Sequence, residues 1–284
     1  MARDLRDLSL CAINTATLGF QAPINEVIEA VARAGFGGIA PWRREIEGQD
    51  VKAIGKQLRS SGLKVLGYCR STYIPASTRE GFLANVEANR RAISDAATLG
   101  AESFVMVVGG LPEGSKDLAA ARAQVVEASG LLVEHGRKLG VKIALEPLHP
   151  VYAADRSCLT LVSEALDVCA GVEGETSDPW LGVLIDVYHV WWDPNIGRDI
   201  AQAGRARRIF GFHVCDWLVP TIDVLNDRGM MGDGVIDIRA LRESVEDAGY
   251  GGLAEAEIFS AGNWWKRPID ETLKVCAERF AASS

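Results

Sequence analysis

The sequence has 284 residues, of which 48% are hydrophobic, and it carries a formal net charge of -8 at pH 7. This acidic balance argues against a protein that binds nucleic acid, because such proteins hold phosphate backbones with clustered Lys and Arg. The six cysteines are widely spaced without a C-x-x-C pair, and no apolar stretch approaches the roughly 18 residues of a membrane span. We therefore expect a cytoplasmic protein with reduced thiols that has neither nucleic acid nor membrane as a partner.

Eight short apolar segments alternate along the chain with longer segments of helical periodicity. The predicted strands occupy residues 8–13, 37–41, 64–68, 103–108, 141–145, 181–185, 209–214 and 252–258. The predicted helices occupy residues 23–34, 50–61, 79–99, 116–139, 158–170, 195–206, 238–248 and 268–281. In the helical segments, apolar residues recur at spacings of three and four, whereas the strand segments are short and continuous.

Glycine stands between several predicted helices and the strands that follow them. Gly35, Gly62, Gly100, Gly140 and Gly249 each precede an apolar segment, and glycine tolerates the left-handed conformation that commonly ends a helix. Alternating strands and helices imply right-handed parallel units, and eight such units usually close into a barrel. The sequence therefore predicts a single (β/α)8 TIM barrel that forms one domain over residues 1–284.

A doubly wound open sheet is the structural alternative. Such sheets usually carry a glycine-rich turn after the first strand. Residues 14–19 read Asn-Thr-Ala-Thr-Leu-Gly here, so the barrel is favoured.

Four successive predicted strands finish on residues that can bind a metal: Glu146, Asp186, His213 and Glu257. In barrels, the carboxyl ends of the strands form the active site. A single acidic residue at a strand end is more often a helix cap or an ion-pair partner, but four candidate ligands in succession favour a site. Each buried carboxylate needs a partner, and one shared cation would supply it.

Three carboxylates and one imidazole form an oxygen-rich ligand set. This set suits Mn2+ best, with Mg2+, Co2+ or catalytic Zn2+ as alternatives. An octahedral metal would keep two positions open for the adjacent oxygens of a hydroxy-ketone or hydroxy-aldehyde, and it would stabilise a developing enediolate. The expected substrate is therefore a small sugar or polyol.

The last predicted strand contains two acids that could be the ligand. Glu255 precedes Glu257 by two positions, so both side chains point to the same face of the strand. We choose Glu257 because it lies nearer the mouth of the barrel.

Two histidines follow proposed ligands by three residues and should lie in loops at the mouth. His149 follows Glu146, and His189 follows Asp186. Either imidazole could act as a base or could orient a ligand. We take both as catalytic candidates, whereas His135 falls in the last turn of a predicted helix and is explained by the helix dipole.

Cationic and aromatic residues near the strand ends are candidates for binding substrate. Arg43 and Arg70 follow the second and third predicted strands and could contact substrate oxygens or pair with surplus acid. The tryptophans at 42, 191, 192, 264 and 265 could form walls for a sugar ring or could lie at a subunit interface. We place Trp42 with the substrate-binding residues and leave the other four open.

The ordered residues Glu146, Asp186, His213 and Glu257 resemble the metal ligands of the xylose isomerase-like barrel superfamily. The resemblance covers nearly the whole chain. The segments that carry it are residues 145–150 (LEPLHP), 186–194 (DVYHVWWDP), 213–217 (HVCDW), 227–234 (DRGMMGDG) and 257–260 (EIFS). They are similar to a bacterial subgroup named for sugar phosphate isomerases and epimerases.

That superfamily includes sugar isomerases and epimerases, inosose dehydratases, hydroxypyruvate isomerase, the metal-dependent partner subunit of C-glycoside deglycosidases, and endonuclease IV. The resemblance implies a metal-dependent enzyme and leaves room for a homo-oligomer or a partner subunit. Ketose 3-epimerases place an Arg six residues after the metal-binding His, where this sequence has Val219. Arg228, in the long loop after the seventh strand, is the candidate that could supply the missing charge.

Several functions fit these residues. The leading interpretation is an isomerase or epimerase in which Glu146 and Glu257 exchange a carbon-bound proton through an enediolate. The alternative is a lyase or dehydratase that eliminates a β-leaving group from a keto-inositol, keto-sugar or 3-keto-glycoside, with His149 or His189 as base. An endonuclease would need more histidines and a basic surface, and a sugar-binding barrel without activity would not require a complete metal set.

Overall fold

The computed structural model describes residues 3–284, and in it eight parallel strands close into a barrel. The barrel strands are β1 (Cys11–Asn14), β2 (Gly38–Ala40), β3 (Lys64–Cys69), β4 (Ala101–Met106), β5 (Lys142–Leu145), β6 (Leu181–Asp186), β7 (Ile209–Val214) and β10 (Ala254–Ala256). Around the barrel they pair in the order β1-β10-β7-β6-β5-β4-β3-β2. A two-stranded antiparallel sheet, β8 (Asp216–Trp217) and β9 (Arg228–Gly229), lies in the loop after β7. The predicted barrel is confirmed.

Ten α-helices are found in the described part of the chain. They are α1 (Ile24–Arg33), α2 (Arg43–Ile46), α3 (Val51–Ser61), α4 (Arg79–Leu99), α5 (Leu118–Leu139), α6 (Val162–Glu173), α7 (Val187–Val190), α8 (Ile196–Arg205), α9 (Ile238–Asp247) and α10 (Ile269–Ser283). Within residues 3–284, none of these helices combines the length and the apolar character that crossing a membrane requires.

Local signals in the sequence set the helix ends. The Thr78 hydroxyl accepts from the backbone N–H of Gly81 at the start of α4, and Asp117 accepts from Ala120 at the start of α5. Both helices end at glycines in the left-handed conformation, Gly100 with φ 84° and Gly140 with φ 76°. These caps direct the chain from each helix into the next strand.

Three predicted elements have different boundaries in the structure. Residues 8–10 form a short 3-10 helix because Asp7 caps it through the Ser9 N–H, so β1 begins at Cys11. The helix predicted over 158–170 begins at Val162, since Glu164 accepts from the backbone N–H of Thr160 and of Leu161. The last barrel strand ends at Ala256, one residue before Glu257.

The small sheet after β7 was not predicted. Asp216 organises its loop, because its carboxylate accepts from the backbone N–H groups of Trp217, Gly232 and Ile236. The sheet pairs Trp217 with Arg228. It thereby returns residue 228 to the carboxyl end of the barrel.

An apolar cluster fills the barrel below the strand ends. Ala144 and Leu184 precede Glu146 and Asp186 by two positions and therefore point to the same side of their strands. They pack with Cys69 and Val105 in one buried group. This packing excludes water beneath the charged residues at the mouth.

Candidate active site

Four side chains from adjacent parts of the barrel converge at its carboxyl end. Glu146, Asp186, His213 and Glu257 each offer one ligand atom, and these atoms all lie within 4.8 Å of one another. None of the four residues is more than 4% exposed. The structure therefore brings the four residues proposed as metal ligands into one buried cluster.

The strand register explains why these side chains meet. Asp186 on β6 pairs with His213 on β7, and His213 pairs with Glu255 on β10. The backbone N–H of Glu146 donates to Met106 O, and that of Glu257 donates to Val214 O, at 3.0 and 3.1 Å. Each ligand candidate is thus held by a backbone hydrogen bond or pairing that continues the barrel.

His213 lies between Glu255, on β10, and Glu257, which follows β10. Its Nδ1 is 3.4 Å from Glu257 Oε2, and its Nε2 is 3.0 Å from Glu255 Oε1. Neither buried ring nitrogen makes a well-aligned hydrogen bond in the described residues. Since Glu255 also accepts from Asn14 Nδ2 at 2.8 Å, it sits behind His213 and orients the ring, while Nδ1 faces the cluster.

Arg228 reaches the same cluster from the loop after β7. Its Nη1 donates to Asp186 Oδ2 at 2.8 Å and to Glu257 Oε2 at 3.1 Å. Its guanidinium also lies over the ring of Tyr188, 4.4 Å from the centroid. The residue is 3% exposed, so this cation is fixed inside the site.

Burial and charge separate the pKa values of these groups. Burial, reinforced by the Glu257 charge, raises the pKa of Glu146 to about 8. Burial would also raise the pKa of Glu257, but the opposing charges of His213 and Arg228 outweigh it and lower that pKa. Burial would lower the pKa of His213, but Glu255 and Glu257 outweigh it and raise that pKa well above its ordinary value.

The donor set fits a divalent cation. Glu146, Asp186 and Glu257 supply three carboxylates, His213 supplies an imidazole nitrogen, and Arg228 compensates only part of the negative charge. Buried carboxylates in excess of their cationic partners are costly unless another cation is shared. These four residues could therefore hold a metal, with Glu255 supporting the histidine from behind.

A cavity opens directly above the cluster. Glu146, Glu257, His189 and Arg228 line it. Of the other predicted substrate contacts, Trp42 and Arg70 also line it, and the Trp42 Nε1–H donates to Asn14 Oδ1 at 2.6 Å. Arg43 is not among the lining residues, because its guanidinium is held by Thr72 Oγ1 at 2.8 Å and by Glu47 Oε1 at 3.2 Å.

The two histidine candidates have different positions. His189 is 3% exposed, with Nε2 3.6 Å from Asp186 Oδ2 and 3.9 Å from Glu146 Oε1. The His149 ring does not line the cavity. The ring stacks on Trp217, with 5.1 Å between the ring centroids, and it meets the Trp192 ring edge-on. The backbone N–H of His149 donates to His189 Nδ1.

Burial and the neighbouring Arg228 charge lower the pKa of His189 well below its ordinary value, so this imidazole is neutral at pH 7. Of the two histidines, the structure therefore brings only the His189 ring to the cavity.

The paired tryptophans also separate. Trp191 packs in the cluster around Trp217, whereas the Trp265 Nε1–H donates to Ala16 O at 2.7 Å and its ring contacts Phe20 and Phe259. These rings support the residues around the mouth, and Trp42 alone of the five lines the cavity.

Sequence reasoning missed several wall residues. Tyr152 lines the cavity from a short 3-10 helix, and Arg156, Phe259, Leu148 and Leu225 line it from loops. Loops after strands have no hydrophobic periodicity, so no spacing could have singled out these positions. Arg156 carried one weak signal, since it is a cation in a loop that follows a ligand strand.

The sequence matches a known family of barrel proteins. The family model described as a xylose isomerase-like TIM barrel matches residues 28–279. The inosose isomerase of Bacillus licheniformis is 26% identical over 160 residues, which cover 55% of this chain and 54% of that protein. The chain thus matches about half the length of this curated relative.

Solved structures extend the likeness over the whole barrel. Protein SMc04130 from Sinorhizobium meliloti 1021 is 47% identical with a TM-score of 0.92, and the match covers 96% of this chain and 98% of that one. The IolI protein, in a structure with a zinc atom, is 18% identical with a TM-score of 0.80 over 96% of this chain and 98% of its own. The second likeness, at this low identity, concerns the fold alone.

Proposed function

The chain belongs to the xylose isomerase-like TIM barrel family, and on that premise we propose that it is a divalent-metal-dependent sugar isomerase or epimerase acting on a hydroxy-ketone or hydroxy-aldehyde. One observation carries the proposal: Glu146, Asp186, His213 and Glu257 converge within 4.8 Å at the floor of a cavity. The curated relative is an inosose isomerase, which supports the same reaction class.

Glu146, Asp186, His213 and Glu257 would hold the metal. When bound, the cation would supply Lewis-acid stabilisation of the negative charge that develops on adjacent substrate oxygens. Mn2+ suits the carboxylate-rich set, and Mg2+, Co2+ and Zn2+ remain alternatives. The zinc atom in the related IolI structure supports a divalent ion without selecting one.

The two outer carboxylates would move the proton. Glu146 follows β5 and Glu257 follows β10, and two barrel strands lie between them. Both side chains line the cavity, so both acids would face a substrate bound there. One acid would remove the carbon-bound proton as a general base, and the other would return a proton to the neighbouring carbon or to the opposite face.

Arg228 would limit the basicity of its two carboxylates. Its contacts with Asp186 and Glu257 stabilise the charged forms of both acids. Glu146 is not an ion-pair partner of Arg228, and burial raises its pKa to about 8. This difference leaves Glu146 the more basic of the two outer carboxylates in the protein without a metal.

A lyase or dehydratase is the second candidate. His189 favours it, because a neutral buried imidazole lines the cavity 3.9 Å from Glu146. Because Nδ1 accepts the His149 N–H, the neutral ring carries its proton on Nε2, which could protonate a β-leaving group expelled from a keto-inositol, keto-sugar or 3-keto-glycoside while a carboxylate removes the proton next to the ketone. The His149 ring is less suited to this role because it packs between tryptophans.

Deuterium exchange distinguishes the two reactions. The Mn2+-loaded protein would be incubated in D2O with a panel of ketoses, keto-inositols and 3-keto-glycosides. We expect solvent deuterium at carbon in a recovered isomer, detected by NMR and mass spectrometry. Release of water or an aglycone would instead establish the lyase.

Metal content provides the control. Chelated protein and Asp186→Asn protein should both lose exchange, and only the chelated protein should recover when Mn2+ is restored. Full exchange in metal-free protein would contradict the proposal.

A further inference from the structure

Two arginines line the cavity without an acidic ion-pair partner. Arg70 and Arg156 both belong to the cavity, and neither has a carboxylate within 4.0 Å in residues 3–284. The guanidinium carbon of Arg70 lies 4.8 Å from the centroid of the Tyr73 ring, and that of Arg156 lies 5.3 Å from the centroid of the Tyr152 ring. The Arg156 Nε is buried and has no hydrogen-bond partner there.

Both arginines are attached to the same segment of backbone. Ser71, next to Arg70, donates from its N–H to Val105 O at 3.1 Å and from its hydroxyl to Val107 O at 2.6 Å. On the other side, Arg156 O accepts from the Gly109 N–H at 2.9 Å. The chain that extends β4 therefore lies between them and fixes their main-chain positions.

Other cations around the mouth are already paired. Arg43 is held by Thr72 and Glu47, and Arg228 neutralises part of the charge of Asp186 and Glu257. Asp223, an exposed acid in a loop at the mouth, accepts from Leu225 and Asn226 of its own loop. Within the described residues, Arg70 and Arg156 are thus the cations of the cavity lining that have no carboxylate in ion-pair contact.

Half-buried guanidinium groups are costly without anionic partners, and Arg suits carboxylate and phosphate because its planar fork donates two parallel hydrogen bonds. Resting on the proposed function, we propose that Arg70 and Arg156 bind an anionic group of the substrate, a carboxylate or a phosphate, so that the enzyme acts on acidic sugars. The hydroxy-carbonyl end of the same molecule would reach Glu146 and Glu257 on the other walls of the cavity.

Binding of matched ketoses tests this assignment. Calorimetric titration of the full-length Mn2+-loaded protein would compare D-fructose, D-fructuronate and D-fructose 6-phosphate, which differ at the terminal carbon. We expect at least one acidic ketose to bind at least about tenfold more tightly than D-fructose, since charge-assisted hydrogen bonds are roughly twice as strong as neutral ones. The tighter of the two acidic probes identifies the anion as carboxylate or phosphate.

Variants assign the preference to residues. Arg70→Gln and Arg156→Gln should each weaken binding of the acidic probe by about tenfold more than they weaken binding of D-fructose. Arg156→Lys should retain part of the preference, because the charge remains. Arg91→Gln, an exposed position on α4 outside the cavity, is the matched control, and thermal melting verifies that every variant folds.

The outcomes separate this inference from the proposed function. If no acidic ketose binds more tightly than D-fructose, or if the variants weaken acidic and neutral ketoses alike, the anion assignment is overturned. If the preference and its loss in the variants are found but no ketose exchanges deuterium, the proposed reaction fails and the anion site stands. If a neutral ketose exchanges deuterium but no acidic ketose binds more tightly than D-fructose, the proposed reaction stands and the anion site is overturned.

Discussion

The two ends of the barrel each contain a buried arginine, and the two arginines differ in how completely they are matched. At the amino end of the strands, Arg208 pairs with Glu173 at 2.7 Å and donates to the carbonyls of Leu181 and Gly174. At the carboxyl end, Arg228 pairs with Asp186 and Glu257. There, Glu146 and Glu255 add two further buried carboxylates.

This difference distinguishes a structural ion pair from a functional one. Glu173 is satisfied on all sides, since it also accepts from Arg137 and from the backbone N–H groups of Trp180 and Leu181. A closed arrangement of this kind connects α6 to β6 and β7 and has no capacity for a ligand. The buried cluster at the carboxyl end contains more carboxylates than the one arginine in contact with it compensates, which favours a metal but does not favour stability.

The largest expected effect concerns the two acids of the last strand. Glu257→Gln should remove a direct ligand and an acid–base group, and deuterium exchange should fall by at least about 10^4-fold. Glu255→Gln, the matched control, should weaken metal binding by about 10–100-fold, because it only orients His213. Chelator competition measures both affinities, and a greater loss in Glu255→Gln would reverse the assignment.

The two histidines test how far the functional region extends from the cluster. His189→Ala should lower turnover by about 10^2–10^4-fold if the imidazole acts as an acid or base. His149→Ala should keep turnover within about tenfold, because its ring packs on Trp217 and its backbone N–H remains to hold His189. Kinetics with metal content measured in parallel would decide, and equal losses in both variants would place His149 in the site.

Arg208 and Arg228 provide the most direct test of the comparison between the two ends of the barrel. Arg208→Met should reduce the free energy of unfolding by about 3–5 kcal/mol, because it leaves a buried carboxylate without its main partner. Saturating Mn2+ should restore most of the unfolding free energy that Arg228→Met loses, but none of the unfolding free energy that Arg208→Met loses. Each variant is compared with wild-type protein that holds the same metal.

Urea denaturation with and without Mn2+ measures these differences. Arg205→Met, exposed at the end of α8, should behave like the wild type. Rescue of Arg208→Met by the metal would show that the two ends are energetically coupled, contrary to the comparison.

The smallest expected effect is the pH dependence at the amino end. Burial would raise the pKa of Glu173, but hydrogen bonds from Arg208 and the backbone outweigh it and lower that pKa below its ordinary value near 4.5. A depressed folded-state pKa contributes stability above the unfolded value, and this stability is lost as the pH falls through the folded value. The unfolding free energy of the wild type should therefore decrease on acidification below about pH 4.5 more steeply than that of Glu173→Gln.

Glu175→Gln supplies the control for this experiment, since Glu175 is exposed two residues farther along the chain. Denaturation series between about pH 3 and 6 would compare the three proteins. Parallel curves for the wild type and Glu173→Gln would show that the carboxylate of Glu173 makes no pH-dependent contribution.

The sequence by itself determined the barrel and the positions of the candidate ligands. Strand and helix periods are local properties, and a residue that closes a strand run must lie at the carboxyl end of a parallel barrel. Glu146, Asp186, His213 and Glu257 could therefore be named without coordinates. The helix boundary at 158–170 was wrong because the side chain of Glu164, rather than the hydrophobic period, determined where α6 begins.

Only the tertiary structure decided what the loops contribute. Arg228 lies 42 residues from Asp186 in sequence, yet the small sheet after β7 brings the two into contact. His149 and Arg156 belong to the same loop region, but the His149 ring packs among tryptophans while Arg156 lines the cavity. Loop side chains are positioned by contacts with distant segments, and such contacts leave no period in the sequence from which they could be predicted.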